Sequence, residues 1–233
     1  MLKLFVFGPA FGEISASPFS VKALCLMEMS GQKYSVEHGA DPRKAPKNKL
    51  PVLEHDGKTI PDSDQIRDYL EATFGLDFDE GLTQDQRGIS RAVIRMTEEH
   101  IYFGLVCSRW LDDANWPTTR EALFGGIPKP IRKFITGKIR KKVAAMAYGQ
   151  GMARHTPQEQ ADRISKDIAA IEAILGDKAF LFGDRPSAAD VSVVAMLREI
   201  TSYPNPTLLQ GLVTSRPTLM AYLERGKEAL YPK

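Results

Sequence analysis

The pair Asp62-Ser63, nine residues after the segment Lys49-Leu50-Pro51-Val52-Leu53, is where the sequence could most directly bind a ligand. Pro51 opens an apolar run, and because proline cannot donate to a β ladder, it fits the first residue of an edge strand. The backbone groups of Val52 are then free to pair with an extended peptide. Asp62-Ser63 has the form of a helix start, and a helix N-terminus binds anions. Together these features favour a small peptide with a free carboxylate, and glutathione is such a peptide.

The elements that must position these residues follow from the apolar periodicity of the N-terminal third of the chain. The predicted elements are a strand over 2–7, a helix from Ser17 to Gly31, a strand at 34–36, a hairpin of strands 51–54 and 58–60, and a helix from Asp62 to about Phe74. Asp56-Gly57 is the turn of the hairpin. This β-α-β and then β-β-α order predicts a thioredoxin-like domain.

Only helical patterns follow the acidic, polar residues 76–84. The predicted helices run from Gln84 to about Leu111, from the capping box at Thr156, from Ser187, and from Pro217 to about Leu230. The predicted fold is therefore an α/β thioredoxin-like N-terminal domain plus an all-α helical C-terminal domain. We predict domains at 1–75 and 85–233 with a linker at 76–84.

The composition excludes several other classes of protein. A net charge of +2 over 233 residues gives no general attraction for nucleic acid. Cys25 and Cys107 form neither a disulfide framework nor a zinc motif, so we expect no metal. Neither a secretory signal nor an apolar run of about 18 residues is present, so we expect a cytoplasmic protein without a transmembrane segment.

Three segments in this order resemble the glutathione S-transferase superfamily. They are 49–53, Asp62-Ser63 with Ile66 and Tyr69-Leu70, and 183–190, whose Ser187 and Asp190 look like a capping box of the helical domain. The resemblance covers essentially the whole chain. It implies a glutathione transferase with glutathione as co-substrate, a small electrophile as second substrate, and a homodimer.

A closer similarity is to bacterial homologues of the failed axon connections protein and metaxin. The segments that carry it are Ser17-Pro18-Phe19, 39–46, Glu98-Glu99-His100, Ser108-Arg109-Trp110 and Arg216-Pro217 through Tyr222. This similarity specifies the fold more narrowly than the reaction.

The resemblance implies that Ser17 contacts the glutathione sulfur. A free thiol has a pKa of about 8.5, and a donor at a helix N-terminus lowers it. Pro18 supports a helix start there. The first strand offers no tyrosine, and Ser17-Pro18-Phe19-Ser20 lacks the cysteines of a dithiol redox motif. Ser17 as an ordinary N-cap, and Ser15 or a backbone N–H of residues 11–17 as the sulfur's partner, stay open.

The other predicted glutathione contacts are divided among its three residues. Val52 pairs with the cysteinyl backbone, Asp62 takes the γ-glutamyl ammonium, Ser63 takes its carboxylate, and Lys49 takes the glycine carboxylate. Pro51 could instead be only the cis-proline of the fold.

The second substrate is expected over the sulfur, against the long helix. The predicted lining residues are Phe11, Tyr102, Phe103, Arg109 and Trp110. Tyr102 and Trp110 are separated by about two helical turns, so they could equally be one core-facing stripe.

Residues 129–142 hold seven basic residues, no acid and several isoleucines. This pattern is typical of a basic amphipathic helix on a membrane surface or an acidic partner. The alternative is a solvated surface helix.

These observations leave three functions open. The first is a glutathione transferase that activates the thiol for attack on an electrophile or a peroxide. The second is a non-catalytic, metaxin-like adaptor that binds partners or membrane through the helical domain. The third is an enzyme that acts on a glutathionylated metabolite.

Overall fold

Four short strands form the sheet in a computed structural model that describes residues 1–233. They are β1 (Leu2–Val6), β2 (Tyr34–His38), β3 (Val52–His55) and β4 (Lys58–Pro61). Their order is β2-β1-β3-β4, with β1 and β2 parallel and the other pairs antiparallel. Helix α1 (Pro18–Ser30) connects β1 to β2, and α2 (Ser63–Phe74) follows β4. The predicted thioredoxin-like layout is confirmed.

One part of the strand prediction is wrong, because β3 is an inner strand and not an edge strand. Val52 lies opposite Phe5 of β1 on one side and Pro61 of β4 on the other. Pro51 precedes β3, where a missing N–H costs no ladder hydrogen bond. The Leu50–Pro51 peptide is cis.

The first helix is buried on almost every side. Most residues of α1 are buried, and the helix packs against both α2 and the helical region, as a helix with apolar residues all round must. It begins after Ser17 with Pro18 in its first turn, as predicted. It ends at Gly31, which adopts the left-handed conformation that favours glycine. The N-terminus of α1 is therefore fixed by the core.

The rest of the chain is helical. The helices are α3 (Gln84–Met96), α4 (Tyr102–Val106), α5 (Trp116–Phe124), α6 (Lys129–Gln150), α7 (Pro157–Leu175), α8 (Ala188–Thr201), α9 (Leu208–Thr214) and α10 (Pro217–Leu230). Short 3₁₀ turns occur at Pro42–Lys44 and Met152–Arg154. None of the helices combines the length and hydropathy needed to cross a bilayer. The predicted fold class is confirmed, while the domain boundaries 1–75, 76–84 and 85–233 stay a prediction.

The helix predicted from Gln84 to Leu111 spans those residues but is not uniform. Two π-helical turns, Thr97–Ile101 and Cys107–Leu111, interrupt it on either side of α4. Each π turn shifts the helix face by including an extra residue in the turn. The segment between and within these turns carries four of the five residues predicted to line the second-substrate site, namely Tyr102, Phe103, Arg109 and Trp110.

A buried capping box holds the start of α8 in the core. Asp190 accepts hydrogen bonds from the N–H and hydroxyl of Ser187, from the Leu181 N–H and from the Tyr222 hydroxyl. Asp190 is completely buried. Its contacts agree with the predicted cap, and they tie α8 to α10.

Candidate functional site

Two cavities adjoin each other at the junction of the sheet region and the helical region. One, the apolar cavity, has a volume of about 360 Å³ and is lined mostly by hydrophobic residues. The other, the polar cavity, has a volume of about 520 Å³ and is lined mostly by polar and charged residues. The residues that line both are Phe7, Ser17, Pro42, Tyr102 and Ile139. The two cavities can therefore present two different molecules to one shared wall.

Ser17 stands on that shared wall at the N-terminus of α1. It occupies the N-cap position, yet its side chain makes no capping hydrogen bond. Ser15, the competing residue, is completely buried and donates its hydroxyl to the Phe7 carbonyl at 2.9 Å. Of the two serines, only Ser17 lines the cavities.

The start of α2 forms one end of the polar cavity. Asp62 is the N-cap, with one carboxylate oxygen accepting from the Asp64 N–H at 2.9 Å. Ser63 is buried and, with Asp62 and Asp64, lines the cavity. The second oxygen of Asp62 is left for a cation, while the hydroxyl of Ser63 and the helix N-terminus suit a carboxylate.

The loop before β3 supplies the other end of the polar cavity. Lys49 and Pro51 line it, together with Lys47 and Leu50. Val52 does not line it, because Val52 is held between β1 and β4. Leu50, the residue before the cis peptide, lines the cavity at this point.

A fully buried lysine lies behind the polar cavity. Lys22 of α1 bonds Asp64 at 2.5 Å and Glu98 at 2.6 Å, and Glu98 also accepts from Ser192 of α8. Arg95 pairs with both acids. Burial raises the pKa of Asp64, but the charges of Lys22, Arg95 and Arg91 outweigh it and lower that pKa to about 2. Asp64 therefore stays ionised without presenting an uncompensated negative charge to an anionic ligand.

Sequence reasoning missed this network because its members are far apart in the chain. Only Glu98 belongs to a segment that the sequence singled out, and Lys22 lies within an apolar helix pattern. A lysine among the buried positions of α1 is the one available signal, since buried lysines require a partner.

The long interrupted helix lines the apolar cavity. Its contribution is Tyr102, Leu105, Val106, Arg109 and Trp110, facing Phe11 and Pro18. Four of the five residues predicted to line the second-substrate site are thus together. The fifth, Phe103, lies on the polar cavity instead. Tyr102 and Trp110 also pack against the core. The same two residues therefore both line the cavity and form a core-facing stripe.

Arg109 contributes an aliphatic and planar surface to this cavity more than a free charge. Its guanidinium group lies 4.4 Å from the centre of the Phe11 ring and donates to Glu199 at 2.7 Å. Burial raises the pKa of the Glu199 carboxyl to about 7, while Arg109 opposes that rise. Arg109 at the cavity wall is therefore already engaged by a partner within the chain.

The chain's own thiols are not placed for chemistry at this site. Cys25 and Cys107 are buried, and burial raises the pKa of Cys107 to about 11 and that of Cys25 further. A reactive thiol at Ser17 would have to belong to a bound molecule.

Comparison with known proteins agrees with this arrangement. Residues 18–115 match the glutathione S-transferase N-terminal domain, and residues 164–226 match the glutathione S-transferase C-terminal domain. The chain is 31% identical to the isoprene-epoxide–glutathione S-transferase of Rhodococcus sp. (strain AD45), over 97% of each chain. It is 28% identical to failed axon connections of Drosophila melanogaster, over 94% of this chain and 55% of that protein.

A solved structure supports the fold. The glutathione S-transferase of Ceriporiopsis subvermispora, determined in complex with glutathione, superposes with a TM-score of 0.68 at 18% identity, covering 100% of this chain and 98% of that one. The sequence relatives also bear out the predicted similarity to failed-axon-connections proteins. From the family matches and the relative that is 31% identical along nearly its whole length, we conclude that this chain belongs to the glutathione S-transferase family.

Proposed function

We propose that the protein is a glutathione transferase that binds glutathione in the polar cavity and a small apolar electrophile in the adjoining one. The observation that carries this proposal is the position of Ser17. Its hydroxyl makes no capping bond, and Ser17 lines both cavities at the N-terminus of α1. A sulfur atom there would face an electrophile from the apolar side.

The polar cavity offers a partner for each charged end of glutathione. Asp62 receives the γ-glutamyl ammonium, and Ser63 with the α2 N-terminus receives the neighbouring carboxylate. Lys49 receives the glycine carboxylate, with Lys47 beside it. The backbone of Leu50, in place of Val52, pairs with the cysteinyl unit. The peptide is thereby held with its thiol toward Ser17.

The surroundings of Ser17 then favour the thiolate form of the bound glutathione. The hydroxyl donates to the sulfur, and the positive end of the α1 dipole adds to this stabilisation. The apolar cavity excludes water from the other reactant, which strengthens these interactions. The thiol proton is lost to solvent, the sulfur lone pair attacks the electrophilic carbon, and the bond from that carbon to its leaving atom breaks. The products are a thioether and either a halide ion or, from an epoxide, an alkoxide that takes up a proton to become a hydroxyl group.

The lining of the apolar cavity favours a small hydrophobic substrate. Most of its lining residues are hydrophobic, so a strongly polar or charged substrate would lose hydration without compensation. The relative from Rhodococcus is named for an epoxide of isoprene, which fits such a lining. We infer that this protein acts on a small epoxide or a related electrophile.

Replacing Ser17 with alanine tests the proposal. Ser17→Ala should raise the pKa of the bound glutathione thiol and lower turnover, with little change in glutathione affinity, because the thiolate forms close to the transition state. The loss should be below the roughly 10²–10³-fold of the strongest single donors, since a neutral hydroxyl acts on sulfur. Thiolate absorbance against pH, with calorimetry for affinity, measures both quantities.

Ser17→Thr, which keeps the hydroxyl, is the control and should titrate like the wild type. Identical titration curves for wild type and Ser17→Ala would reduce Ser17 to a helix cap. Absence of glutathione binding in the wild type would reject the whole proposal.

The second candidate is a non-catalytic adaptor. It is favoured by the similarity to failed axon connections over nearly the whole of this chain. A protein that binds glutathione but transfers it to none of a panel of epoxides, aryl halides and peroxides would support this candidate. A homodimer remains a further expectation from the family, to be checked by light scattering.

A further inference from the structure

Helix α6 lines the two cavities through Ile139, but its outward face differs from the rest of the chain in both charge and exposure. Residues 122–158, which include α6, hold eight of the chain's 31 Lys and Arg residues and none of its 29 acidic residues. The rest of the chain therefore carries 23 basic and 29 acidic residues. The cationic character of the chain is concentrated on this one segment.

The basic residues of α6 fall into two groups with different structural roles. Arg132 is buried and bonds Glu121 and two backbone carbonyls, while Arg140 bonds Asp113 and the carbonyls of Trp110 and Leu111. These two arginines attach the helix to the protein. The five lysines have no such role, because Lys3 and Lys22 are the only lysines of the chain in ion pairs. The unpaired lysines of α6 are Lys129, Lys133, Lys138, Lys141 and Lys142.

Large apolar side chains are exposed beside those lysines. Of seven exposed large hydrophobic residues in the chain, four belong to α6, and the most exposed of these are Phe134 at 65% and Tyr148 at 56%, followed by Ile131 at 52%. The spacing of 131, 134, 138, 141 and 142 places Phe134 and Ile131 on one outward face with three lysines. Lys138 covers the Phe134 ring at 4.2 Å. Phe134 is therefore an exposed aromatic side chain that lies among lysines.

A cationic groove runs along one flank of the same face. It lies between α5 and α6, has a volume of about 600 Å³, and is lined by Arg120, Lys133, Arg140 and Lys141 over Trp116. Side chains of this kind bind phosphate oxygens. Gly137 lines the groove and has no other atom within 4 Å of where a Cβ would lie, so no side chain fills the groove at this point.

We propose that the outward face of α6 docks on an anionic lipid membrane, with Phe134 and Ile131 entering the headgroup layer and the lysines meeting lipid phosphates and carboxylates. Charge complementarity decides the occupant. A surface of unpaired lysines attracts anionic lipid, and exposed apolar residues add binding that a purely electrostatic partner does not require. Two copies of this face would bring like charges together, so symmetric self-association does not explain it.

Vesicle cosedimentation of the full chain tests the proposal. Binding is expected to phosphatidylcholine vesicles that contain phosphatidylserine, to be absent with phosphatidylcholine alone, and to fall as salt is raised. The triple variant Lys138→Gln, Lys141→Gln, Lys142→Gln should lower the partition coefficient on the order of 100-fold, from about 1 kcal/mol for each lysine near the surface.

A control variant with the same net charge as the α6 triple variant separates the position of the lysines from their number. Lys33→Gln, Lys166→Gln, Lys227→Gln removes three exposed lysines outside α6, and it should bind vesicles nearly as the wild type does. Equal losses in the two triple variants would reduce the effect to net charge and overturn the proposal. Absence of vesicle binding by the wild type at low salt would also overturn it, as would equal binding to neutral vesicles.

The apolar part of the proposal has its own readout. Phe134→Trp should show fluorescence quenching by bromine-labelled lipids beyond that of wild type, in which Trp110 and Trp116 give the background. Quenching equal to wild type would show that Phe134 does not enter the headgroup layer. A concentration-dependent doubling of mass that Phe134→Ser abolishes, without vesicle binding, would assign this face to a second copy.

Discussion

At the scale of single residues, Tyr102 is the side chain that could distinguish one class of electrophile from another. It lines both cavities, and its ring packs on Phe19 with centroids 4.8 Å apart. Burial raises the pKa of the Tyr102 hydroxyl, so it is a neutral donor at physiological pH. Opening an epoxide requires a proton on the leaving oxygen, whereas displacing a halide does not. A donor on the shared wall would therefore matter for only one of these reactions.

We predict that Tyr102→Phe slows transfer of glutathione to a small epoxide on the order of 10²-fold, the lower end for loss of a general acid. Its rate with an aryl halide should change only a few-fold, because that reaction uses the same thiolate and the same apolar cavity. The ratio of the two kcat/KM values in wild type and variant is the measurement. An equal loss with both substrates would instead give Tyr102 a packing role.

Residue-level prediction from the sequence succeeds where the signal is local. Ser17 with Pro18 and the pair Asp62-Ser63 mark helix starts through neighbouring residues, and the structure places all of them at helix starts on the cavities. The choice between Leu50 and Val52 is different. It depends on which strands flank β3, and that is decided by pairing with β1, which is distant in the chain.

At the scale of elements, the start of α8 is fixed by its N-terminal cap. Asp190 is completely buried and satisfies four donors, two of them on Ser187 and one on Tyr222 of α10. Removing the carboxylate leaves those donors without a partner in a dry environment. Such losses are among the largest that a single substitution causes.

We predict that Asp190→Ala lowers the free energy of unfolding by about 3–5 kcal/mol, as for breaking a buried charged network. Asp190→Asn, which keeps one acceptor oxygen, should lose less. Asp184 of the same loop is exposed, and its replacement by alanine is the control. Asp184→Ala should change the free energy of unfolding by roughly 0.5 kcal/mol at most. Urea denaturation of the three variants gives the comparison, and a loss from Asp190→Ala no larger than that from Asp184→Ala would refute the role of the cap.

The prediction of helices from the sequence is limited to features that depend on residue types at fixed spacing. The capping boxes at Thr156 and Ser187 and the acid-free pattern of α6 are readable, because they depend on residue types at fixed spacing. The π turns at Thr97–Ile101 and Cys107–Leu111 are not readable in this way. Each adds one residue to a turn, and the apolar pattern tolerates that shift over so short a segment.

At the scale of the whole molecule, Lys22 connects the two structural regions. It reaches from α1 to Asp64 of α2 and to Glu98 of the long helix, and Glu98 is bonded in turn to α8. A buried charge that loses a partner is strongly destabilising. We therefore expect the two regions to unfold together.

The pH dependence of stability reports this connection. Asp64 has a pKa of about 2 in the folded protein against 3.8 as its ordinary value. Its stabilisation is therefore present above the ordinary pKa and is lost as the pH falls toward the folded one. Asp64→Asn should cost about 2 kcal/mol near neutral pH, and the difference from wild type should shrink across that acid range. Unfolding free energies measured from neutral pH into the acid range check this. A difference that is constant with pH would mean that Asp64 acts through shape alone.

The buried position of Lys22 also has a consequence for how sequences of this kind can change over time. The cation and its two carboxylate partners come from three elements that are distant in the chain, and a substitution at any one removes a buried partner from the network. Tolerated changes should therefore come in sets. Across relatives of this chain, positions 22, 64 and 98 should vary together, so that a neutral residue at position 22 is accompanied by neutral residues at its partners.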